Sequence, residues 1–406
     1  MKVAIIGGGA AGFFAAIACA EANPTARVTI FERGKDVLEK VRISGGGRCN
    51  VTHDCHDPRE LVKNYPRGSR ELLGPFSHFG PTETVNWFQN RHVHLKTESD
   101  GRIFPTTDNS ETIIECLFQA VRAARVEVKT SCRVEKIEPR AIENSWLVWL
   151  AGEMEPRVFS KIMVAAGSSS AVWKMLENLG HSIVAPVPSL FTFNLKDGRI
   201  DGLMGLSVPR VSIKIGGEKL VSDGPLLITH WGMSGPAILK LSAWGARAFF
   251  NKNYRFSIEI NWLFNKKRDA AIEALNETKR LFSKKTVLAN CPFDLPNRLW
   301  QRLVSHLEID EKKRWADLDK KTIERLADQL TAAVFEVNGK STFKEEFVTA
   351  GGVDLREINF KTFESRLHPN LFLAGEILNI DAVTGGFNFQ AAWTGGWIAG
   401  QAMVTV

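Results

Sequence analysis

The sequence predicts an α/β fold built on a parallel sheet, into which a small β domain and a helical domain are inserted. Three observations carry that prediction. At the N-terminus, a short apolar strand, a glycine-rich turn, a small-residue helix and a second strand follow one another. Near the C-terminus stand another strand, an acidic turn and a glycine-led helix. Between these blocks the texture changes, first to short alternating runs and then to a helical period.

The first block is Lys2–Ile6 (KVAII), an apolar run suited to a buried parallel strand. Gly7, Gly9 and Gly12 then fill the positions of a G-x-G-x-x-G fingerprint. Gly7 permits the tight turn, Gly9 admits a pyrophosphate against the backbone, and Gly12 lets helix and strand pack closely. Ala10 and Ala11 open the helix, where free N–H groups and the dipole favour phosphate. The helix runs on through Phe13–Ala22 and stops at Asn23-Pro24; Arg27–Phe31 is the second strand. Glu32 ends it, twenty residues after Gly12, where a carboxylate accepts ribose hydroxyls. The acid disfavours NADP here and leaves FAD and NAD open.

Further motifs choose between them. Lys40 precedes Ser44–Asn50 (SGGGRCN), and GRIFP follows at Gly101–Pro105. Later come Thr229–Pro236 (THWGMSGP), Val348–Val353 (VTAGGV), Gly375-Glu376 in NLFLAGE, Asp381, and Gly385–Asn388 (GGFN). Together they make the chain resemble flavoproteins with a Rossmann-like two-dinucleotide-binding-domain fold. Within these it is similar to the bacterial BaiN-like, aminoacetone-oxidase-like family, which also contains ribosomal RNA dihydrouridine synthase-like members.

The resemblance implies FAD. It makes Ser44, Gly45, Gly47, Arg48, Cys49 and Asn50 part of a FAD-contacting loop, with Arg48 on the pyrophosphate and Asn50 toward the isoalloxazine ring. It places Lys40, Val134, Ala166, Gly167, Gly375 and Glu376 at the cofactor, and Asp381 on the ribityl chain or a phosphate-side water. Gly386, Phe387 and Asn388 would form a helix N-terminus under the flavin's pyrimidine side, where the dipole favours negative charge. Cys49 reads as a packed residue rather than a redox thiol. The sequence departs from the family at Ser168–Ser170, at Ala382 and at His53, where asparagine is common.

Ser110–Arg125 reads as a capped amphipathic helix, and Val126–Thr130, Val134–Ile137, Ser145–Leu150 and Lys161–Ala165 as strands. The cofactor domain is expected over residues 1–188 plus 346–406, a small β-barrel-like domain over 189–262 plus 335–345, and a helical domain over 263–334. Trp300, Leu303, Val304 and Leu307 form an apolar stripe expected in the core. Ser234 and Pro236 read as a helix start.

Residues 252–340 hold 18 Lys and Arg against 13 Asp and Glu. The clusters are Lys266–Arg268, Lys284-Lys285, Lys312–Arg314 and Lys320-Lys321. They read as a solvated surface or as an RNA-contacting face.

Composition bounds the rest. The chain has 406 residues, 44% hydrophobic and 24% charged, with net charge +7. No Cys-x-x-Cys pair occurs, which argues against a zinc ribbon or a redox pair, and no metal site is expected. Glycines interrupt the uncharged stretch Val3–Ala20, so it reads as neither signal peptide nor membrane span. A cytoplasmic FAD oxidoreductase is the expectation, transferring hydride at flavin N5 with a small-molecule substrate. No second glycine fingerprint is visible, which argues against a dedicated NAD(P)H domain; the candidate reductants are transiently bound NAD(P)H or the substrate itself. The alternatives are reduction of uridine in ribosomal RNA and, less weighted, a non-catalytic flavin-binding interaction protein. His230 and Asn50 are the candidate catalytic residues; His230 reads first as a hydrogen-bonded structural histidine. The oligomeric state is not legible.

Overall fold

The computed structural model describes residues 1–140, 142–341 and 348–404. It divides into two compact units, Met1–Pro188 with Lys344–Val406, and Ser189–Phe343. The expected boundary at 345/346 falls outside the described residues.

In the first unit, strand β1 (Lys2–Ile6) is followed by helix α1 (Ala10–Ala22) and strand β2 (Arg27–Phe31). β1 lies at the centre of a parallel arrangement. It pairs with Lys161–Val164 on one side (Ile5 opposite Met163) and with β2 on the other (Ile5 opposite Ile30). Leu371–Leu373 and Glu127–Lys129 extend it in parallel, and a short antiparallel hairpin caps one edge. The run KVAII is buried from Val3 onward because both sheet faces are covered.

Helix α1 is buried along Ala11–Ala20. It packs on the C-terminal helix Phe387–Ala402, and small residues decide the spacing. A Cβ on Gly396 would lie 2.5 Å from the Ala11 carbonyl oxygen, and one on Gly400 would lie 2.6 Å from that of Ala15. The expected helix Ser110–Arg125 spans Glu111–Ala123. Ser110 does not cap it. Its hydroxyl donates to the Arg42 carbonyl at 2.7 Å, and the Asn109 side chain accepts from the Glu111 N–H instead.

The second unit holds a seven-stranded antiparallel sheet ordered Ala333–Asn338, Arg255–Asn261, Ser207–Ile215, Val221–Ile228, Gly232–Ser234, Thr192–Asn194, Lys340–Ser341. The sequence reading separates these strands from the helices that follow. In the structure both share one core, in which Ile258, Ile260 and Phe335 of the sheet cluster with Trp262, Trp300, Trp315 and Leu326. Neither layer buries its apolar face without the other. The stripe Trp300, Leu303, Val304, Leu307 belongs to that core. Ser234 ends a strand, so Gly235, at φ +94, stands at the N-terminal boundary of helix Pro236–Trp244.

Candidate functional site

Two of the three fingerprint glycines are required by the protein's own packing. A Cβ on Gly7 would stand 2.4 Å from the Ala165 carbonyl oxygen, and one on Gly12 only 2.0 Å from that of Gly7. Gly9 differs: its Cβ would meet nothing within 4 Å. The backbone at Gly9 therefore borders open space at the N-terminus of α1, where the first N–H groups of Ala10, Ala11 and Gly12 have no intrahelical acceptor. Glu32 closes one side of this turn. Its carboxylate accepts from Gly8 N–H at 2.8 Å and from Gly34 N–H at 2.7 Å. The Cys132 N–H donates to the Glu32 carbonyl, which brings the segment leading into Val134 alongside.

Residues far apart in sequence gather around it. A Cβ on Gly375 would touch that of Ala11 at 3.2 Å, and one on Gly167 would have the Glu376 carboxylate as its sole neighbour, at 3.9 Å. Glu376 is ion-paired with Lys40. Ala166 follows Ala165 across from Gly7. Thus Gly7–Gly12, Lys40, Ala166-Gly167 and Gly375-Glu376 form one neighbourhood.

The SGGGRCN segment is more ordered than a loop. Helix α2 (Glu39–Gly47) breaks at Ser44 (ψ 149°), and Gly45 and Gly46 take left-handed conformations. Ser44 Oγ donates to the Val41 carbonyl, and the Cys49 N–H to that of Ser44. Cys49 is fully buried, and burial pushes its thiol up to about 12, which makes it a packing residue.

Arg48 has partners within the protein. It donates to Glu98 at 2.6 Å and to Asp108 at 3.4 Å, and its guanidinium lies 4.0 Å over the Phe104 ring. Two carboxylates already compensate its charge. It pins the glycine segment to the hairpin of Leu95–Thr97 and Arg102–Pro105.

Asn50 begins a stretch that runs beside the C-terminal helix. With its carboxamide oriented to suit its neighbours, it accepts from Gly386 N–H at 3.0 Å and donates to the Thr52 carbonyl at 2.9 Å. Thr52 donates to Gln390 at 2.6 Å, and Trp393 donates to the Val51 carbonyl at 2.9 Å. Gly386, at φ +88, precedes the helix; a Cβ there would stand 2.6 Å from the Thr52 carbonyl. The Phe387 side chain is buried, so only its backbone remains for a ligand. The Asn388 carboxamide bonds Ala382 N–H and carbonyl, bracing the preceding turn.

Asp381 is 0% exposed and ion-paired with Arg67, so its carboxylate braces two distant stretches of the chain. Sequence reasoning missed its partner segment altogether. Arg67 bridges to Asp381 through the backbone too, the Val383 N–H donates to the Asn64 carbonyl, and Tyr65 Oη donates to the Phe387 carbonyl at 2.6 Å. NYPRG carries no local signal for this role, because it acts only across more than 300 residues of chain.

His230 belongs to the second unit. It is exposed in the turn between strands Val221–Ile228 and Gly232–Ser234, beside Trp231, which is 59% exposed. Among the described residues no helix is long and apolar enough to cross a membrane.

The family model described as HI0933-like protein Rossmann domain matches residues 1–402. A 3-dehydro-bile acid delta(4,6)-reductase of Clostridium scindens is 28% identical, over 99% of this chain and 98% of that protein. A ribosomal RNA dihydrouridine synthase of Escherichia coli is also 28% identical, over 98% and 97%. Among solved structures, a 3-ketosteroid-delta4-(5alpha)-dehydrogenase of Rhodococcus jostii aligns over 100% of this chain and 97% of that one, with TM-score 0.55 and 13% identity, a likeness of fold. With the matched model spanning nearly its whole length, the chain belongs to the HI0933-like Rossmann family, as its motifs suggested.

Proposed function

We propose that the chain is an oxidoreductase that holds FAD in its first unit. The observation that carries this reading is the open backbone at Gly9, flanked by the N-terminus of α1 and by Glu32, with Lys40, Gly167, Gly375 and Glu376 gathered around it. The donor set fits a dinucleotide: free N–H groups suit a pyrophosphate and a carboxylate suits ribose hydroxyls. When bound, FAD would supply hydride acceptance and donation at its N5 atom. The chain's own residues do the rest. The first turn of α1 binds phosphate, Glu32 orients the adenosine ribose, and Asn50 fixes Gly386 at the start of the C-terminal helix. That helix end favours negative charge nearby.

The relatives' names describe a reductase and a dihydrouridine synthase, which supports the reductive direction, with NAD(P)H as transient donor and a small-molecule substrate. All six cysteines are unbridged, in keeping with a cytoplasmic setting. Purified protein should be yellow and release FAD on denaturation; colourless protein that takes up no FAD overturns the reading. Stopped-flow mixing with NADH and NADPH then tests the donor, and a panel of oxidants tests the substrate.

A second reading, reduction of uridine in ribosomal RNA, is favoured by one observation. Thr286 pairs antiparallel with Arg314, the Val287 N–H donates to the Lys313 carbonyl, and the Trp315 N–H to that of Lys285. This joins Lys284-Lys285 to Lys312–Arg314. The Asp319 carboxyl is held below its usual range, chiefly by the Thr322 N–H, with Lys313 and Lys321 adding to it; the third cluster is therefore adjacent. All seven cations are exposed, and among the described residues only Lys320 has an ion-pair partner, Glu324 at 3.9 Å. Binding of structured RNA should weaken steeply with salt. Replacing Lys312, Lys313 and Arg314 by glutamine should flatten that slope while leaving flavin reduction unchanged. RNA affinity no better than that of a neutral flavoprotein at physiological salt removes this reading.

A further inference from the structure

The stretch that starts at Asn50 ends at His53, a residue the site described above does not use. The two address the same helix start: Asn50 through the Gly386 N–H, His53 through the Phe387 ring. The imidazole stacks on that ring at 4.6 Å between centroids and 18° between planes. Its seat is made by two missing side chains. A Cβ on Gly101 would lie 2.4 Å from His53 Cε1, and one on Gly385 would lie 3.3 Å from Cδ2. Gly101 (φ +83) and Gly385 (φ +134) occupy conformations other residues rarely adopt, so both the space and the backbone at these positions suit glycine.

Nδ1 is buried and has no hydrogen-bond partner among the described residues. A buried polar atom without a protein partner is filled by a water, an ion or a ligand, or serves a functional task. The residue as a whole keeps partial exposure. The charges that face it are Asp54 beyond the end of its own strand, and Asp100 and Arg102 from the hairpin below; the first turn of the C-terminal helix contributes none. Burial lowers the imidazole below its ordinary 6.5, against a hydrogen bond to the Asp100 backbone and the charges of Asp100 and Asp54, and so favours its neutral form.

We propose that His53 is the titrating group at the flavin end of the site, its charge state felt by the bound cofactor. This rests on the reading that the Gly386–Asn388 helix start lies at the flavin. A neutral imidazole leaves only the helix end and backbone N–H groups to favour negative charge there; the protonated form adds a full positive charge beside them.

The experiment follows the visible absorption of FAD bound to the protein across the range in which imidazoles titrate. Wild type is compared with His53→Asn, and with His53→Phe, which keeps the stack and removes the proton. Wild type should show a single spectral step on the acid side, absent from both variants. FAD-loaded variants that retain the step overturn the proposal, as does a wild type with none. Wild type that takes up no FAD overturns the proposal together with the reading beneath it. If neither variant retains FAD, NMR titration of the His53 ring protons in wild type decides. Its midpoint should move on FAD loading, and an unmoved midpoint overturns the proposal.

Discussion

In the first turn of α1, a Cβ on Gly12 would lie 2.0 Å from a carbonyl oxygen, whereas in the second glycine cluster one on Gly46 would meet nothing within 4 Å. The first cluster has ordinary backbone angles at Gly9 (φ −92°) but no space at Gly7 and Gly12. The second has space at Gly46 and Gly47 but left-handed angles, φ +70 and +83. Packing alone demands glycine at Gly12, and backbone hand alone at Gly46 and Gly47; Gly7 (φ +112) and Gly45 (φ +58, a Cβ 2.9 Å from the Phe104 ring) carry both constraints. The two runs look alike in sequence, yet substitutions should separate them.

The largest effect is expected from Gly12→Ala. Its new methyl strikes backbone rather than a flexible side-chain end, so the loss should reach about 3 kcal/mol, the upper end for overpacking. Urea denaturation measures it, and an unchanged midpoint would break the comparison at its root. Gly9→Ala comes next and should act on ligand alone: near-wild-type stability with FAD affinity lower about tenfold, or about 1.4 kcal/mol. Fluorescence titration with FAD decides it, and unchanged affinity means that the open space at Gly9 is not where the pyrophosphate lies. Gly46→Ala should reduce stability by about 1 kcal/mol through left-handed strain. Its signature is the reverse of Gly9→Ala, since FAD affinity should hold.

Arg48→Ala should have the smallest effect. A partly exposed guanidinium shared by Glu98 and Asp108 positions the segment, so FAD affinity should fall by less than about fivefold. A drop of a hundredfold or more in equilibrium dialysis would restore Arg48 to the pyrophosphate and make the second cluster a phosphate loop like the first.

The sequence by itself determined the parallel sheet and the first cofactor element. β1, α1, β2 and Glu32 are adjacent in the chain, and their spacing follows from helix length and strand rise, so a local pattern specifies them. It also determined that Trp300, Leu303 and Val304 face a core, since a helical period needs no partner to be legible. The tertiary structure alone decided which charges remain free to serve a ligand. Arg48 and Asp381 look available in sequence and are claimed by Glu98 and Asp108, and by Arg67. It alone made the strands of 189–341 and the helices between them one core, and joined basic clusters nearly thirty residues apart. It alone set His53 between Gly101 and Phe387. Each of these depends on contacts between distant parts of the chain, and side-chain electrostatics and packing act over a few ångströms of space whatever the separation in sequence.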